Sequence, residues 1–229
     1  MNAPPPESKR RRVRSFVRRP GRMTDAQQRA LQELLPRYAL TDEGSDLRTQ
    51  FERSAPLVIE IGCGNGDALV WMSGHEPNKN FIGIEVHEPG VGRLLRGLES
   101  NQRSNVRVAM RDAVVVLTDR AVAESIDELR VYFPDPWPKK RHHKRRLIQP
   151  AVIQLMARVL KTGGRLHLAT DWQPYAEWME EHLAARVDLE DISLPNRARP
   201  GWRPETHFER RGTRKGHTIV DLIYQKRES

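Results

Sequence analysis

Short runs of β-forming residues alternate with helix-compatible stretches through most of this 229-residue chain. The runs cover residues 57–61, 80–86, 106–110, 128–133 and 165–169. Strands that alternate with helices predict a parallel sheet with helices packed on both faces. We therefore predict an α/β fold with a doubly wound, mostly parallel sheet. In such sheets ligands bind beyond the carboxyl ends of the strands, where the winding direction reverses.

The two ends of the chain differ from this central pattern. A last β-forming run, residues 217–225, follows a long irregular basic segment and predicts an antiparallel edge strand near the C-terminus. A short helix is predicted at residues 24–35, with Thr24 or Asp25 as its N-cap. Residues 1–22 are rich in Pro and Arg and offer little to bury, so we expect a disordered basic arm there. Residues 23–229 are expected to form one domain.

The positive charge of the chain is clustered. The net charge is +9, and residues 1–22 hold eight Lys/Arg against one acid. Residues 139–146 contain six Lys/Arg and two His without an acid, and residues 197–227 contain nine Lys/Arg against three acids. Clustered bases are typical of proteins that bind a polyphosphate. From charge alone, a nucleic-acid partner and a merely solvated surface remain about equally open.

Several classes of protein are disfavoured by the sequence. No apolar run is long enough to cross a bilayer, and arginines stand where a signal peptide would carry its apolar stretch. We expect a soluble, cytoplasmic protein with no membrane partner. Cys63 is the single cysteine, which excludes an internal disulfide framework and a multi-thiolate metal site. The eight histidines show no metal-ligand spacing, so we expect no metal.

The first predicted strand leads into the glycine-rich sequence EIGCGNGD, residues 60–67. Gly62, Gly64 and Gly66 allow a tight turn and the close approach of a ligand. A dinucleotide fingerprint has its third glycine five residues after its first, and here the spacing is four, which disfavours a nicotinamide cofactor. The acids Glu60 and Asp67 would repel a pyrophosphate but would tolerate a cationic ligand with an amino acid portion. A tight βα turn without a ligand remains the alternative.

Carboxylates also follow the next two predicted strands. Glu85, at the second strand end, is placed to accept both hydroxyls of a ribose. Asp112, at the third, could accept a hydrogen bond from the exocyclic amine of adenine. Each acid alone is more often a surface residue or a helix cap. Together with Glu60 and the glycines they describe a pocket for an adenosine without phosphates, which indicates S-adenosylmethionine.

The fourth predicted strand runs into FPDPWPKKRHHKRR, residues 133–146. Because proline disfavours helical backbone for the residue before it, Phe133, Asp135 and Trp137 are predicted to be extended, in a stiff wedge. Asp135 would then be held at the pocket edge with little freedom, as a transfer reaction needs. The alternative is a turn in which Asp135 caps a backbone amide. Trp137 is predicted either to stack on a flipped-out base or to be a half-buried core residue, and the basic run would hold phosphates.

Five motifs together are similar to one known family. They are EIGxGxG from residue 60, GIEVH at 83–87, FPDPW at 133–137 followed by KKRH, ATDW at 169–172, and TxFERRG at 206–212. The set resembles the bacterial-type tRNA (guanine-N7)-methyltransferases over residues 53–226. The resemblance implies a class I, Rossmann-like methyltransferase fold. It also implies S-adenosylmethionine as methyl donor, S-adenosylhomocysteine as product, and methylation of a guanosine in the variable loop of tRNA.

The resemblance also implies roles for individual residues. Beside the three glycines, the implied cofactor contacts are Glu60, Glu85, Asp112 and Asp135. The implied substrate contacts are Lys139, Asp171, Thr206, His207, Phe208 and Glu209. Asp135 is the implied catalytic residue. His207 stands where members of the family often carry lysine, which leaves the charge contribution at that position open.

The chemistry of guanine N7 shapes the expected mechanism. N7 carries a lone pair and no proton, so its attack on a methyl group needs no general base. Alignment of the reacting atoms and stabilisation of the developing positive charge should therefore lower the barrier. We expect Asp135 to accept hydrogen bonds from the guanine edge or the methionine amino group, and Asp171 to help hold the base.

Three other functions stay open from the sequence. One is methylation of an exocyclic base amine by S-adenosylmethionine, which would need an acceptor for a departing proton. A second is a non-catalytic RNA-binding scaffold with a vestigial cofactor pocket. A nicotinamide-dependent oxidoreductase is the weakest alternative, because of the glycine spacing. The sequence indicates no obligate protein partner, and both a monomer and a homodimer are compatible with it.

Overall fold

The computed structural model describes residues 22–41 and 46–228. Of the predicted basic arm, only Arg22 lies within these ranges, so the prediction of disorder falls on residues outside them. The helices are α1 (Asp25–Glu33), α2 (Leu35–Tyr38), α3 (Asp67–His75), α4 (Glu88–Ser100), α5 (Ala113–Arg120), α6 (Pro150–Val159), α7 (Gln173–Ala184) and α8 (His207–Arg214). Short 3-10 helices cover Leu47–Gln50, Lys140–Arg145 and Pro195–Arg197. None of the helices in the described part of the chain is both long and apolar enough to cross a bilayer.

Seven strands form one sheet. They are β1 (Leu57–Ile61), β2 (Asn80–Ile84), β3 (Val106–Ala109), β4 (Ile126–Tyr132), β5 (Leu160–Thr170), β6 (Leu189–Asp191) and β7 (Val220–Lys226). Their order across the sheet is β3-β2-β1-β4-β5-β7-β6. The first five are parallel, whereas β7 runs antiparallel to both β5 and β6. The predicted doubly wound sheet with an antiparallel C-terminal strand is confirmed.

The edge of the sheet differs from the prediction in one respect. The strand β7 lies inside the sheet, because the three-residue strand β6 pairs with its outer side. Of the β6 residues only Leu189 is buried. A strand with one buried residue has no alternating pattern, so the sequence gives no signal for it.

The winding direction reverses between β1 and β4, which are neighbours although two strands separate them in the chain. All five residues of β1 and all five of β2 are buried, as expected for central strands covered by helices on both faces. Helix α1 begins at a capping box formed by Thr24 and Gln27. The Gln27 side chain also donates to the carbonyl oxygen of Pro89 over 3.0 Å and thereby ties α1 to the start of α4.

Candidate active site

A cavity of about 240 Å³ lies at the carboxyl ends of β1, β2 and β4, beside the point where the winding reverses. Five of the residues implicated by the sequence line it, and they come from four separate parts of the chain. They are Gly62, Gly64, Glu85, Asp135 and Phe208. The position agrees with the general rule for ligand sites in open α/β sheets.

The three glycines of the loop after β1 have different structural roles. All have positive φ, at 73° for Gly62, 55° for Gly64 and 77° for Gly66. A Cβ built on Gly62 would meet no atom within 4 Å, and one on Gly64 would meet only Phe208, at 3.9 Å. A Cβ on Gly66 would instead overlap the side chain of Leu94 in α4. Gly62 and Gly64 therefore border open space, whereas Gly66 permits close packing of the loop on α4.

The carboxylate of Glu85 is held by three backbone amides. Its Oε2 accepts from Gly64 N–H at 2.8 Å, and its Oε1 accepts from Val86 N–H at 2.7 Å and His87 N–H at 2.9 Å. These bonds join the glycine loop to the end of β2 and fix the carboxylate at the cavity wall. Each oxygen retains further acceptor capacity for a ligand hydroxyl.

Asp112 and Glu60 lie outside the cavity wall. Asp112 is the N-cap of α5, and its Oδ1 accepts from Val114 N–H at 2.8 Å, while its neighbours Arg111 and Ala113 line the cavity. Glu60 is 3% exposed within β1, and its Oε2 is buried without a hydrogen-bond partner among the described residues. Burial raises the pKa of Glu60 to about 7; the nearby Arg130 opposes the rise and the charge of Glu85 adds to it. A buried acceptor without a partner is a site that a ligand donor group could satisfy.

The segment that carries Asp135 is buckled, which corrects the predicted extended wedge. Phe133 and Trp137, both before prolines, have φ of 52° and 45°, in the left-handed region. The pre-proline restriction disfavours the right-handed helical region but does not force an extended backbone when surrounding contacts hold another conformation. Left-handed backbone costs on the order of 1–3 kcal/mol for a bulky residue and is typical of functional sites. Phe133 N–H donates to the carbonyl oxygen of Ala169 at 2.8 Å, which holds one end of the buckle.

The basic run after Asp135 divides into two groups, which corrects the prediction that all of it meets phosphates. Arg146 is 3% exposed; its Nε donates to the Pro136 carbonyl oxygen at 3.0 Å, and its guanidinium lies over the rings of Tyr175 and Trp178. Arg145 lies over the Trp137 ring at 5.1 Å. These two arginines support the Asp135 segment. The exposed members of the run are Lys139, Lys140, Arg141 and Lys144.

Trp137 is partly buried under Arg145, and the ring of His142 meets it edge-on at 5.9 Å. Its Nε1–H is buried with no hydrogen-bond partner in the described ranges. One face of the ring is therefore already covered. Stacking of Trp137 on a base stays a prediction.

Helix α8 brings an aromatic side chain to the cavity. Thr206 caps the helix and accepts from Glu209 N–H at 3.1 Å. Phe208 lines the cavity, is half exposed, and stacks on Phe133 with ring centroids 6.4 Å apart. His207 is exposed and meets the Phe208 ring edge-on. The paired rings of Phe133 and Phe208 give the cavity an aromatic wall.

Glu209 takes part in a buried network that sequence reasoning missed. Its Oε2 accepts from Arg203 Nη1 at 2.6 Å, and its Oε1 lies 3.1 Å from Arg199 Nε. The buried Arg203 also donates from Nε and Nη2 to both oxygens of Asp221 in β7, at 2.6 and 2.8 Å. His167 in β5 bonds to the same aspartate at 2.7 Å. The network ties α8 to two strands of the sheet.

Asp171, directly after β5, lies at the junction with α8 rather than in the cavity wall. Its Oδ2 is 2.9 Å from Nδ1 of His217. A Cβ built on Gly212 would come within 2.8 Å of the Asp171 side chain, so the glycine allows α8 to lie directly against it. Lys139 is exposed at the start of the 3-10 helix Lys140–Arg145. Contacts of either residue with a substrate remain predictions.

Comparison with known proteins places the chain in a family. A family model described as "Putative methyltransferase" matches residues 54–222. A tRNA (guanine-N(7)-)-methyltransferase from Xanthomonas campestris pv. campestris (strain 8004) is 53% identical over 224 residues, which cover 96% of this chain and 86% of the relative. One from Alkalilimnicola ehrlichii is 50% identical over 96% of this chain and 94% of its own length.

The chain belongs to the tRNA (guanine-N7)-methyltransferase family. Among solved structures, an rRNA methylase from Streptococcus thermophilus is similar with a TM-score of 0.52 and 13% identity, over 76% of this chain and 88% of that one. At that identity the likeness shows the fold alone, and it confirms the predicted methyltransferase architecture. The protein is accordingly a methyltransferase.

The residues missed at this methyltransferase site are buried polar or charged side chains. They are Arg203, Asp221 and His167, which lie within apolar or basic stretches, whereas for Arg146 the sequence predicts a different role, that of a phosphate contact. The one available signal is a charged residue inside a β-forming run, as at Asp221, because such a charge must be paired when it is buried. In the described ranges no three His, Cys, Asp or Glu side chains form a cluster that could hold a metal ion.

Proposed function

We propose that this protein transfers a methyl group from S-adenosylmethionine to N7 of a guanosine in the variable loop of tRNA, giving 7-methylguanosine. Gly62, Gly64 and Asp135 line the same cavity, and this is the observation that carries the proposal. The relatives named above, which are tRNA (guanine-N(7)-)-methyltransferases, cover nearly the whole chain and supply the substrate class.

The residues beside the cavity fit an adenosyl donor. Open space beyond Gly62 and Gly64 admits a ligand close to the backbone, Glu85 is oriented to accept ribose hydroxyls, and Glu60 Oε2 is an acceptor without a partner among the described residues. Asp112 would act through the start of α5, the helix that it caps, beside Arg111 and Ala113. When bound, S-adenosylmethionine supplies an electrophilic methyl group on a sulfonium.

The chain's own contribution is alignment and charge. Asp135, held in the buckled segment by Arg146 and Phe133, presents a carboxylate to the cavity. It accepts hydrogen bonds from the guanine edge or the donor's amino group and stabilises the positive charge that develops on the purine. No side chain has to remove a proton, because N7 carries none. The aromatic wall of Phe133 and Phe208 offers a surface on which the base can stack.

The proposed substrate contacts are Lys139, Asp171, Thr206, His207 and Phe208. For Glu209 we propose an indirect role: its carboxylate is engaged by Arg203 and Arg199, so it positions α8 and Phe208. The proposed tRNA substrate implies action in the cytoplasm. A monomer and a homodimer remain equally compatible with this site, which the described chain builds from its own residues.

Incubation with methyl-labelled S-adenosylmethionine and an unmodified tRNA transcript, followed by nucleoside analysis, tests the proposal. The expected product is 7-methylguanosine at a single position. An N6- or N4-methylated base would instead support methylation of an exocyclic amine. Donor binding by calorimetry without any methylated nucleoside would contradict the proposal and favour a non-catalytic RNA-binding role.

A further inference from the structure

A second and larger cavity, of about 810 Å³, lies between α3 and α4 and reaches the start of α1. One end is formed by Asn65 and Asp67, which belong to the glycine loop and the first turn of α3. The other end is formed by Asn101 and Arg103, just beyond α4. The α4 residues that line it lie between Arg93 and Ser100, so the groove extends for about 12 Å along this helix at 1.5 Å per residue. The groove therefore leads from the glycine loop along α3 and α4, away from the cavity that Asp135 lines.

The groove is basic. Arg93, Arg96 and Arg103 line it, and Asp67 is the acid among the lining residues. Arg93 lies 3.5 Å from that aspartate, whereas Arg96 and Arg103 have no carboxylate partner among the described residues. Unpaired guanidinium groups along a groove match a chain of phosphates, since arginine donates to phosphate in a planar, bidentate geometry.

Arg103 is built into the groove. A Cβ at Gly74 in α3 would overlap the Arg103 guanidinium, so the glycine makes room for it. Its Nε–H is buried and has no hydrogen-bond partner within the described ranges. A buried donor left unsatisfied costs stability, and an anion in the groove is one group that would remove that cost.

An aromatic surface accompanies these arginines. Trp71 is 38% exposed on α3 and stacks on His75, with ring centroids 3.7 Å apart and planes 17° apart. The His75 Nδ1 lies 2.8 Å from the Trp71 carbonyl oxygen, which fixes the pair. Exposed aromatic rings beside arginines are the combination that holds unstacked nucleotides in RNA-binding proteins.

We propose that the groove between α3 and α4 binds a second stretch of the tRNA, outside the methylated loop, with Arg96 and Arg103 at its phosphates and Trp71 against an unstacked base. The inference rests on the proposed function, because the occupant is the substrate itself. Phosphate and base contacts in this groove add affinity and orient the tRNA, and they take no part in methyl transfer.

The test is equilibrium binding of an unmodified tRNA transcript to the full chain, without methyl donor, over a series of salt concentrations. The variants are Arg96→Glu and Trp71→Ala, both at exposed side chains. The matched control is Arg158→Glu, which makes the same change in charge at an exposed arginine of α6, outside the basic runs 139–146 and 197–227. The melting temperature of each variant is measured first.

Arg96→Glu is expected to raise the dissociation constant for tRNA ~10-fold. It should also lower the slope of log K against log salt by about 1. Trp71→Ala is expected to raise the dissociation constant ~10-fold at every salt concentration with little change in slope. The control should stay within about twofold of the unmodified protein. If Arg96→Glu binds as the control does, the groove is not a tRNA contact, whatever Trp71→Ala shows.

Failure of the proposed function gives a different result. Wild-type protein that binds tRNA but forms no 7-methylguanosine would contradict the proposed reaction, while the Arg96→Glu comparison would still decide the groove. Conversely, normal formation of 7-methylguanosine with an unchanged tRNA dissociation constant in Arg96→Glu would overturn the groove alone.

Discussion

The side chain of Arg146 holds the backbone of Pro136, the residue after Asp135, through a 3.0 Å hydrogen bond from Nε to the carbonyl oxygen. The guanidinium is itself packed between this segment and the rings of Tyr175 and Trp178 in α7. The last arginine of the basic run 139–146 therefore supports the segment that carries the candidate catalytic residue.

Replacing Arg146 should impair turnover more than tRNA binding. We expect Arg146→Ala to lower kcat ~10-fold or more, because the Asp135 segment loses its support, while the KM for tRNA changes little. Arg146→Lys should recover only part of kcat, since lysine cannot reproduce the planar contacts with the two rings. Steady-state kinetics with tRNA as the varied substrate provide the measurement. A raised KM with unchanged kcat would show that Arg146 contacts the substrate instead.

Removing the carboxylate of Asp135 should abolish most of the activity. We expect Asp135→Ala to lower kcat by roughly 10²–10³, the usual effect of losing one preorganised charge at a reacting centre. The change should leave the fold intact, because the side chain is exposed. Single-turnover methylation of tRNA measures the rate, and Glu205→Ala, at another exposed acid before α8, is the control. A folded Asp135→Ala protein with near wild-type turnover would end the assignment.

Glu60 should make the stability of the protein depend on pH. Its pKa rises from 4.5 to about 7 on folding, so the folded state binds more protons than the unfolded state between those values. Titration of Glu60 therefore leaves the free energy of unfolding unchanged below about pH 4.5. As pH rises from there towards 7, it lowers that free energy increasingly. At 1.4 kcal/mol per unit, the full effect is on the order of 3 kcal/mol.

Glu60→Gln tests this directly. The melting temperature of the variant relative to wild type should increase between pH 5 and pH 8, because the amide cannot ionise. Glu33→Gln, at an exposed residue of α1, should show no such trend. If melting temperature plotted against pH gave parallel curves for Glu60→Gln and wild type across this range, Glu60 would not be buried as a neutral acid.

The exposed bases after Asp135 should account for part of the salt dependence of tRNA binding. We expect Lys140→Ala with Lys144→Ala to reduce the slope of log K against log salt by up to about 0.9 for each phosphate contact that is lost. Arg146→Ala should leave the slope unchanged, because the buried guanidinium meets protein groups. Filter binding at several salt concentrations gives both slopes. Equal slopes for the double variant and wild type would place the phosphate contacts elsewhere.

Local pattern was sufficient to predict the parallel sheet and the edge at which the site forms. The β1 run 57–61 was predicted with its observed bounds, and the glycine loop and Glu85 follow strands whose order places them together. These features depend on residues close in sequence and on the general rule for ligand sites in α/β sheets.

What sequence could not predict depends on contacts between distant residues. The left-handed backbone at Phe133 and Trp137 is opposed by local preference and is held by Ala169, Arg145 and Arg146. Glu209 belongs to a motif that suggests substrate binding, yet its carboxylate is engaged by arginines in a network that also includes Asp221 in β7. A pattern reports which residues are present, but not which partner a buried charge finds.

The strand β7 enters the sheet between β5 and β6, and it carries the aspartate that anchors Arg203. The α8 side of the candidate active site therefore cannot assemble before β7 has been synthesised. During synthesis on the ribosome, a nascent protein that ends before residue 220 cannot fix α8 against the sheet. Methylating competence should emerge late, once residues 220–226 have left the exit tunnel and joined the fold.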